Sequence, residues 1–191
     1  MTLNFHRIQA NKHSAELSLN KKNSTNDLTL ATLSNFFQQD FVDDLIKFLE
    51  EYQHWKKTNN LYRLQLTWES NTIIEEAHII FEQLTNLVEN FASRKLQFNG
   101  LCIWKDFENY AIPTHSDNPK IEVALQIYLK GPCASGTEFM INDTAFKLDF
   151  IANNGYIMDN CSRLLHKMTR PLKKDEIRYT VYASWRSAQF I

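Results

Sequence analysis

Tyr110-Ala111-Ile112-Pro113-Thr114-His115-Ser116-Asp117-Asn118-Pro119, read together with His166, decides how this chain is understood. The run places a histidine and an aspartate two positions apart, just ahead of the turn chemistry of Asp117-Asn118-Pro119. Side-chain direction in an extended chain repeats every two residues, so both groups leave a strand end on the same side. An imidazole nitrogen and a carboxylate oxygen can then reach one metal ion from one edge. A third donor from a later strand, His166, closes one face of an octahedron and leaves three positions open: a two-histidine, one-carboxylate triad. Taken alone, the triplet is also what a metal-free turn looks like. Its weight comes from the residues around it.

Downstream of Gly100 the chain breaks into short runs rich in β-branched and aromatic residues. These are Leu101–Trp104, Ile121–Leu129, Thr137–Ile141, Phe146–Phe150, Gly155–Met158 and Ile177–Trp185. Turn signals separate them, at Asp117-Asn118-Pro119, Lys130-Gly131-Pro132, Asn142-Asp143 and Asn153-Asn154-Gly155. Strands so numerous and so short predict a barrel or sandwich. The first half reads differently, because all four glycines and all four prolines fall at or after Gly100. Phe41, Leu45, Phe48 and Leu49 recur at helical spacing and predict a helix over Asp40–Tyr52, with Asn35-Phe36-Phe37 seating it on a core. A second helix is expected over Thr72–Arg94, with Ile73, Ala77, Ile80, Leu84, Leu87, Val88 and Phe91 as its apolar stripe. Alternation over Leu61–Trp68 predicts a strand between them. His54 and His78 are read as surface or packing histidines. The expected organisation is one domain over residues 1–191, with 1–99 a mostly helical buttress and 100–191 the β core.

Composition sets the limits. The formal net charge of −1 offers no footprint for nucleic acid or for an acidic membrane surface. No apolar stretch is long enough to span a bilayer, and Met1–Asn26 is too polar for a signal peptide. Cys102, Cys133 and Cys161 are odd in number and form no CxxC pair, so free thiols and a cytoplasmic location are expected.

From Tyr110 to Trp185 the chain resembles the double-stranded β-helix core of Fe(II)/2-oxoglutarate oxygenases, in particular the prolyl-hydroxylase-like branch. The matching pieces begin with Tyr110 to Pro119 around His115 and Asp117, followed by Leu125-Gln126-Ile127-Tyr128-Leu129 and Gly136-Thr137-Glu138-Phe139. Gly155 to Asn160, His166 and Arg178-Tyr179-Thr180-Val181-Tyr182-Ala183-Ser184-Trp185 complete the series. The fold implied is α+β: a jelly-roll core buttressed by N-terminal helices.

The resemblance implies that His115, Asp117 and His166 bind Fe(II), and that Arg178 pairs with the far (C5) carboxylate of 2-oxoglutarate. Thr180 would assist it, and Tyr128 would donate to the same carboxylate. A guanidinium fork suits a bidentate carboxylate better than lysine does. The reaction implied is hydroxylation of an unactivated carbon in a small-molecule or peptidyl substrate, coupled to decarboxylation of 2-oxoglutarate to succinate. Asn118–Ile121, Tyr62–Trp68 and Trp104 are expected to line the substrate's approach. The sequence departs from the family pattern at Ser135-Gly136-Thr137-Glu138 and at Arg163-Leu164-Leu165, neither of which removes a ligand. Asp117 itself separates the chain from related halogenases, which lack this carboxylate. Arg178 and Arg186 are too far apart for the motif of the nucleic-acid demethylases. Other readings are a cupin-type metal enzyme, which would not need Arg178 and Thr180, and a non-catalytic barrel module that retains the triad. A serine hydrolase built on Ser162 and His166 lacks the Gly-x-Ser-x-Gly elbow.

Overall fold

The structure, a computed structural model, describes residues 30–67, 71–141, 143–160 and 164–188. The Met1–Asn26 segment, Trp68, Asn142, Cys161 and Ser162 lie outside these residues. In chain order the elements are β1 (Leu30–Leu33), α1 (Gln39–Glu51), β2 (Trp55–Lys57), β3 (Arg63–Leu66), α2 (Thr72–Gln83), α3 (Thr85–Ala92) and β4 (Leu96–Asp106). They continue with β5 (Val123–Lys130), β6 (Thr137–Ile141), β7 (Thr144–Leu148), β8 (Gly155–Asp159), β9 (Leu165–Met168) and β10 (Arg178–Ser187).

Strict alternation in β10 shows how the layers are made. Tyr179, Val181, Ala183 and Trp185 point to one face and join a buried cluster with Phe41, Leu45 and Leu49 of α1 and Ile74, Ala77 and Phe81 of α2. Burying each such side chain contributes about 1.5–3 kcal/mol, so this face holds the helices on. Arg178, Thr180, Tyr182 and Ser184 take the opposite parity. Neighbouring strands repeat the division: Leu125, Ile127 and Leu129 of β5 meet the helices, while Ala124 and Tyr128 belong to a second cluster with Phe139, Tyr156 and Met158.

The strands form two antiparallel sheets, one of seven in the order β1-β8-β5-β10-β4-β3-β2 and one of three in the order β7-β6-β9. From β5 onward the chain passes back and forth between them, as a jelly roll requires. Phe139 of the small sheet packs edge-on against Tyr156 of the large one, with ring centroids 4.9 Å apart. The α+β jelly-roll core is therefore as expected. Helices are the minor component, and β1, β2 and β3 of the first half extend the large sheet. Register aligns three rows across its inner face: Arg63–Asp106–Arg178, Gln65–Trp104–Thr180–Tyr128 and Cys102–Tyr182–Gln126–Tyr156.

Three local departures have physical causes. The expected long helix breaks at Leu84, where Thr85 Oγ1 bonds the Glu82 carbonyl at 2.6 Å and accepts from Trp185 Nε1 at 3.1 Å. That hydroxyl competes with the helical ladder. Gly100 does not precede β4 but lies within it, at φ 140°, where the pairing slips between Ser184 and Trp185. A glycine inside a strand here marks a bulge rather than a boundary. Strand β9, which carries His166, has only four residues and no alternating apolar signature, so nothing in its composition announces it.

Candidate metal centre

His115 and His166 are brought together by backbone pairing. The two residues form an antiparallel bridge, His115 N–H to the His166 carbonyl at 3.0 Å and His166 N–H to the His115 carbonyl at 2.8 Å. Met168 N–H to Ile112 O at 3.1 Å continues the pairing. The irregular run before Asp117 thus lines up along β9 like a further strand of the small sheet. The His115 and His166 ring centroids lie 4.4 Å apart, and both imidazoles turn Nε2 toward Asp117 Oδ1, each at 3.6 Å. That is too long for a hydrogen bond. It is the spacing of donors facing a common centre, and the three ligand atoms all lie within 4.8 Å of one another.

The donor atoms are oriented for a cation. His115 Nδ1 lies 2.9 Å from the Pro113 carbonyl, which can only accept, so Nδ1 donates there and Nε2 is the nitrogen left to face a metal. His166 is 6% exposed, and burial pushes its pKa down, toward the neutral imidazole. The Asp117 carboxylate next to it raises that of His115. Burial pushes the Asp117 carboxyl up, but His115, His166 and the Tyr182 hydroxyl together hold it below its usual range. Tyr182 donates to Asp117 Oδ2 at 3.1 Å, leaving Oδ1 for a metal. An anionic carboxylate flanked by two imidazoles is the donor set a divalent ion requires, and a metal entering it would displace any proton that Asp117 favours on His115.

These residues open on a cavity of about 310 Å³ at the meeting of the two sheets, within the range of small-ligand pockets. Arg178 reaches it from the row farthest from the triad, although the side chain is 2% exposed. Its Nε and Nη2 donate to Asp106 Oδ2 at 3.0 and 2.8 Å, and Nη1 donates to the Ser135 carbonyl at 2.8 Å. Two of its five N–H donors are left over. Thr180 is fully buried on the same inner face, and its Oγ1 has no partner. Tyr128 is also fully buried; its ring stacks on Phe150 at 4.5 Å and its hydroxyl pairs with Thr137 Oγ1 at 2.7 Å. Burial raises its pKa to about 12. Thr137, rather than Tyr128, faces the cavity. Of the expected approach residues, Arg63, Trp104, Asn118 and Ile121 line it. His54 is exposed, and His78 rests edge-on against Phe98 with ring centroids 5.0 Å apart, so neither joins the site.

Sequence reasoning missed Asp106 and Tyr182, and it expected Arg63 only as part of the Tyr62–Trp68 approach. Of that strand, Arg63 is the residue that lines the cavity. Only the burial of Asp106, at 0% exposed, reveals that β4 ends inside the protein.

No family model matches the chain, and no curated protein matches it. Solved structures do. HygX from Streptomyces hygroscopicus, crystallised with nickel and 2-oxoglutarate, superposes at a TM-score of 0.67 with 9% identity, over 84% of each chain. A prolyl-4-hydroxylase from Pseudomonas putida gives 0.64 with 12% identity, over 83% of this chain and 92% of that one. SnoN, a non-haem α-ketoglutarate-dependent epimerase of nogalamycin biosynthesis, gives 0.63 with 11% identity, over 83% and 78%. The chain has the fold of the Fe(II)/2-oxoglutarate oxygenases, prolyl hydroxylases among them.

Proposed function

We propose that this chain is an Fe(II)- and 2-oxoglutarate-dependent oxygenase that hydroxylates an unactivated carbon of a small-molecule or peptidyl substrate. One observation carries the reading. Three metal donors converge at one end of a cavity, and a buried arginine with donors to spare reaches it from the other, beside an orphaned hydroxyl. A buried polar atom without a partner costs stability unless something binds it. The unpartnered Thr180 Oγ1, two residues along the same face from Arg178, supports a role for it toward a bound carboxylate, although Thr180 itself does not line the cavity.

His115, Asp117 and His166 would hold the iron. Arg178 would take the far carboxylate of 2-oxoglutarate with its two remaining donors, and Thr180 would donate to the same group. Tyr128 bears on that end through Thr137. Bound there, iron and 2-oxoglutarate supply the oxidising power: decarboxylation of the 2-oxo acid to succinate and carbon dioxide activates dioxygen for insertion into a C–H bond. The protein positions the reactants and keeps the pocket dry, with Ile112, Ile121 and Met168 as its apolar walls. A small-molecule substrate is in keeping with HygX, which has been crystallised with hygromycin B. All 191 residues would act as one domain. The free Cys102 and Cys133 fit a cytoplasmic location, and no described helix is long and apolar enough to cross a membrane.

The test is succinate formation from 2-oxoglutarate by protein loaded with Fe(II) without oxygen and then exposed to air. Turnover is expected. Folded protein that neither binds iron nor consumes 2-oxoglutarate overturns the proposal.

A further inference from the structure

The cavity holds a second guanidinium, which the triad and Arg178 leave unexplained. Arg63 lies across β4 from Arg178 in the row Arg63–Asp106–Arg178. Its Nε donates to Asp106 Oδ1 at 2.6 Å and its Nη2 to Asp106 Oδ2 at 2.9 Å. The same Oδ2 accepts both bonds from Arg178. The two guanidiniums also share one aromatic floor, Tyr110, whose ring centroid lies 4.3 Å from Arg63 Cζ and 5.3 Å from Arg178 Cζ. Trp104 contacts Arg63 at 4.0 Å. With its planar faces stacked and one edge on Asp106, Arg63 uses two of its five N–H donors, and both hydrogens of Nη1 donate to no described group. A fork fixed in this way loses little freedom on binding.

Charge sharpens the point. Two arginines and one aspartate leave a surplus positive charge in a nearly dry place. Lys167, the other cation on the cavity wall, is paired with Glu138 at 2.9 Å and does not alter the balance. One carboxylate would neutralise the surplus and could accept from unfilled donors of both guanidiniums.

Resting on the oxygenase reading above, we propose that the far carboxylate of 2-oxoglutarate is held by a pair of arginines, Arg63 and Arg178, with Asp106 as the spacer that keeps them side by side. Arg63 is then a direct binding residue for the cosubstrate rather than part of the substrate's approach.

The experiment is calorimetric binding of two probes to Zn(II)-loaded protein, with no turnover required. One probe is 2-oxoglutarate; the other is 2-oxopentanoate, of the same length but with a methyl group at the far end. Arg63→Gln is expected to weaken 2-oxoglutarate about 10- to 100-fold, the worth of a charge-assisted hydrogen bond, and to leave 2-oxopentanoate within about threefold. Removing Arg63 still leaves Asp106 paired with Arg178. Should the glutamine variant misfold, Arg63→Lys keeps the charge but loses the fork, and is expected to weaken 2-oxoglutarate alone. In an Arg178→Lys background, Arg63→Gln should cost affinity again. Unchanged 2-oxoglutarate binding overturns the proposal, as does equal loss of both probes. No further loss in the Arg178→Lys background also overturns it, since Arg63 would then act only by positioning its neighbour. If the wild-type protein binds metal but neither probe, the oxygenase reading itself fails.

Discussion

Tyr182 is the residue whose loss would be felt furthest from its own contacts. Its hydroxyl fixes Asp117 Oδ2, and partners of this kind are commonly worth 10- to 100-fold in metal affinity. Tyr182→Phe should therefore bind a divalent ion about 10- to 100-fold more weakly in a competition titration, with an unchanged unfolding midpoint. His115→Ala and His166→Ala should lose iron outright while staying folded, read as metal content after dialysis. Arg178→Ala should keep iron and lose affinity for 2-oxoglutarate. At this scale the sequence was generous with ligands and silent about their supports. His115 and Asp117 are legible because their spacing is local. Tyr182 and Asp106 are not, because what they touch depends on how β10 and β4 are paired.

Among the elements, the turn before β6 is the most constrained. A Cβ on Gly136 would lie 1.9 Å from the Leu148 carbonyl and 2.8 Å from Phe150 N. Gly136→Ala must push backbone apart, and a loss of about 1–3 kcal/mol is expected, measured as a lower urea midpoint at constant slope. The same turn supplies the Ser135 carbonyl to Arg178, so 2-oxoglutarate affinity should fall with it. The turn leading into β10 is tied by Glu176, which accepts from Arg170 Nη1 and Nη2 at 2.6 and 2.7 Å and from Lys173 N at 2.7 Å. The Arg170 guanidinium lowers the Glu176 carboxyl to about 2. Because the folded value is depressed, its stabilisation is complete above the ordinary value of 4.5 and fades as pH falls through about 2. Wild type and Glu176→Gln should thus differ in urea midpoint near neutrality and converge in strong acid. Strand periods were readable for most of the second half; β9 was not, since four residues that alternate weakly carry no period.

Over the whole molecule, one sheet serves two purposes. Its outer face is apolar and holds α1 to α3, while its inner face carries the cavity. Leu45, fully buried between α1 and the outer face, tests that division. Leu45→Ala should cost about 2–5 kcal/mol and leave metal affinity at the wild-type value. The N-terminal helices and the overall jelly roll were legible because burial on that outer face imposes plain periodicity. On the inner face only the residues carried by the resemblance or expected at the approach were legible; Asp106 and Tyr182 were not, because polar residues facing a cavity look like polar residues facing water. The fold leaves the product open, since it is shared by a prolyl hydroxylase and an epimerase.

The backbone bridge between His115 and His166 has a consequence for supply rather than for chemistry. Two histidines held by mutual backbone N–H···O bonds need no ion to assemble them, so a metal bound there would be a guest and not a staple of the fold. A chelator should strip it without unfolding the chain. Such a site also has little means of refusing the wrong guest, because nickel and copper bind nitrogen donors more tightly than ferrous iron does. Any metal found in the purified protein is expected to follow what the producing cell keeps free, so metal analysis before and after Fe(II) loading checks the proposed iron site.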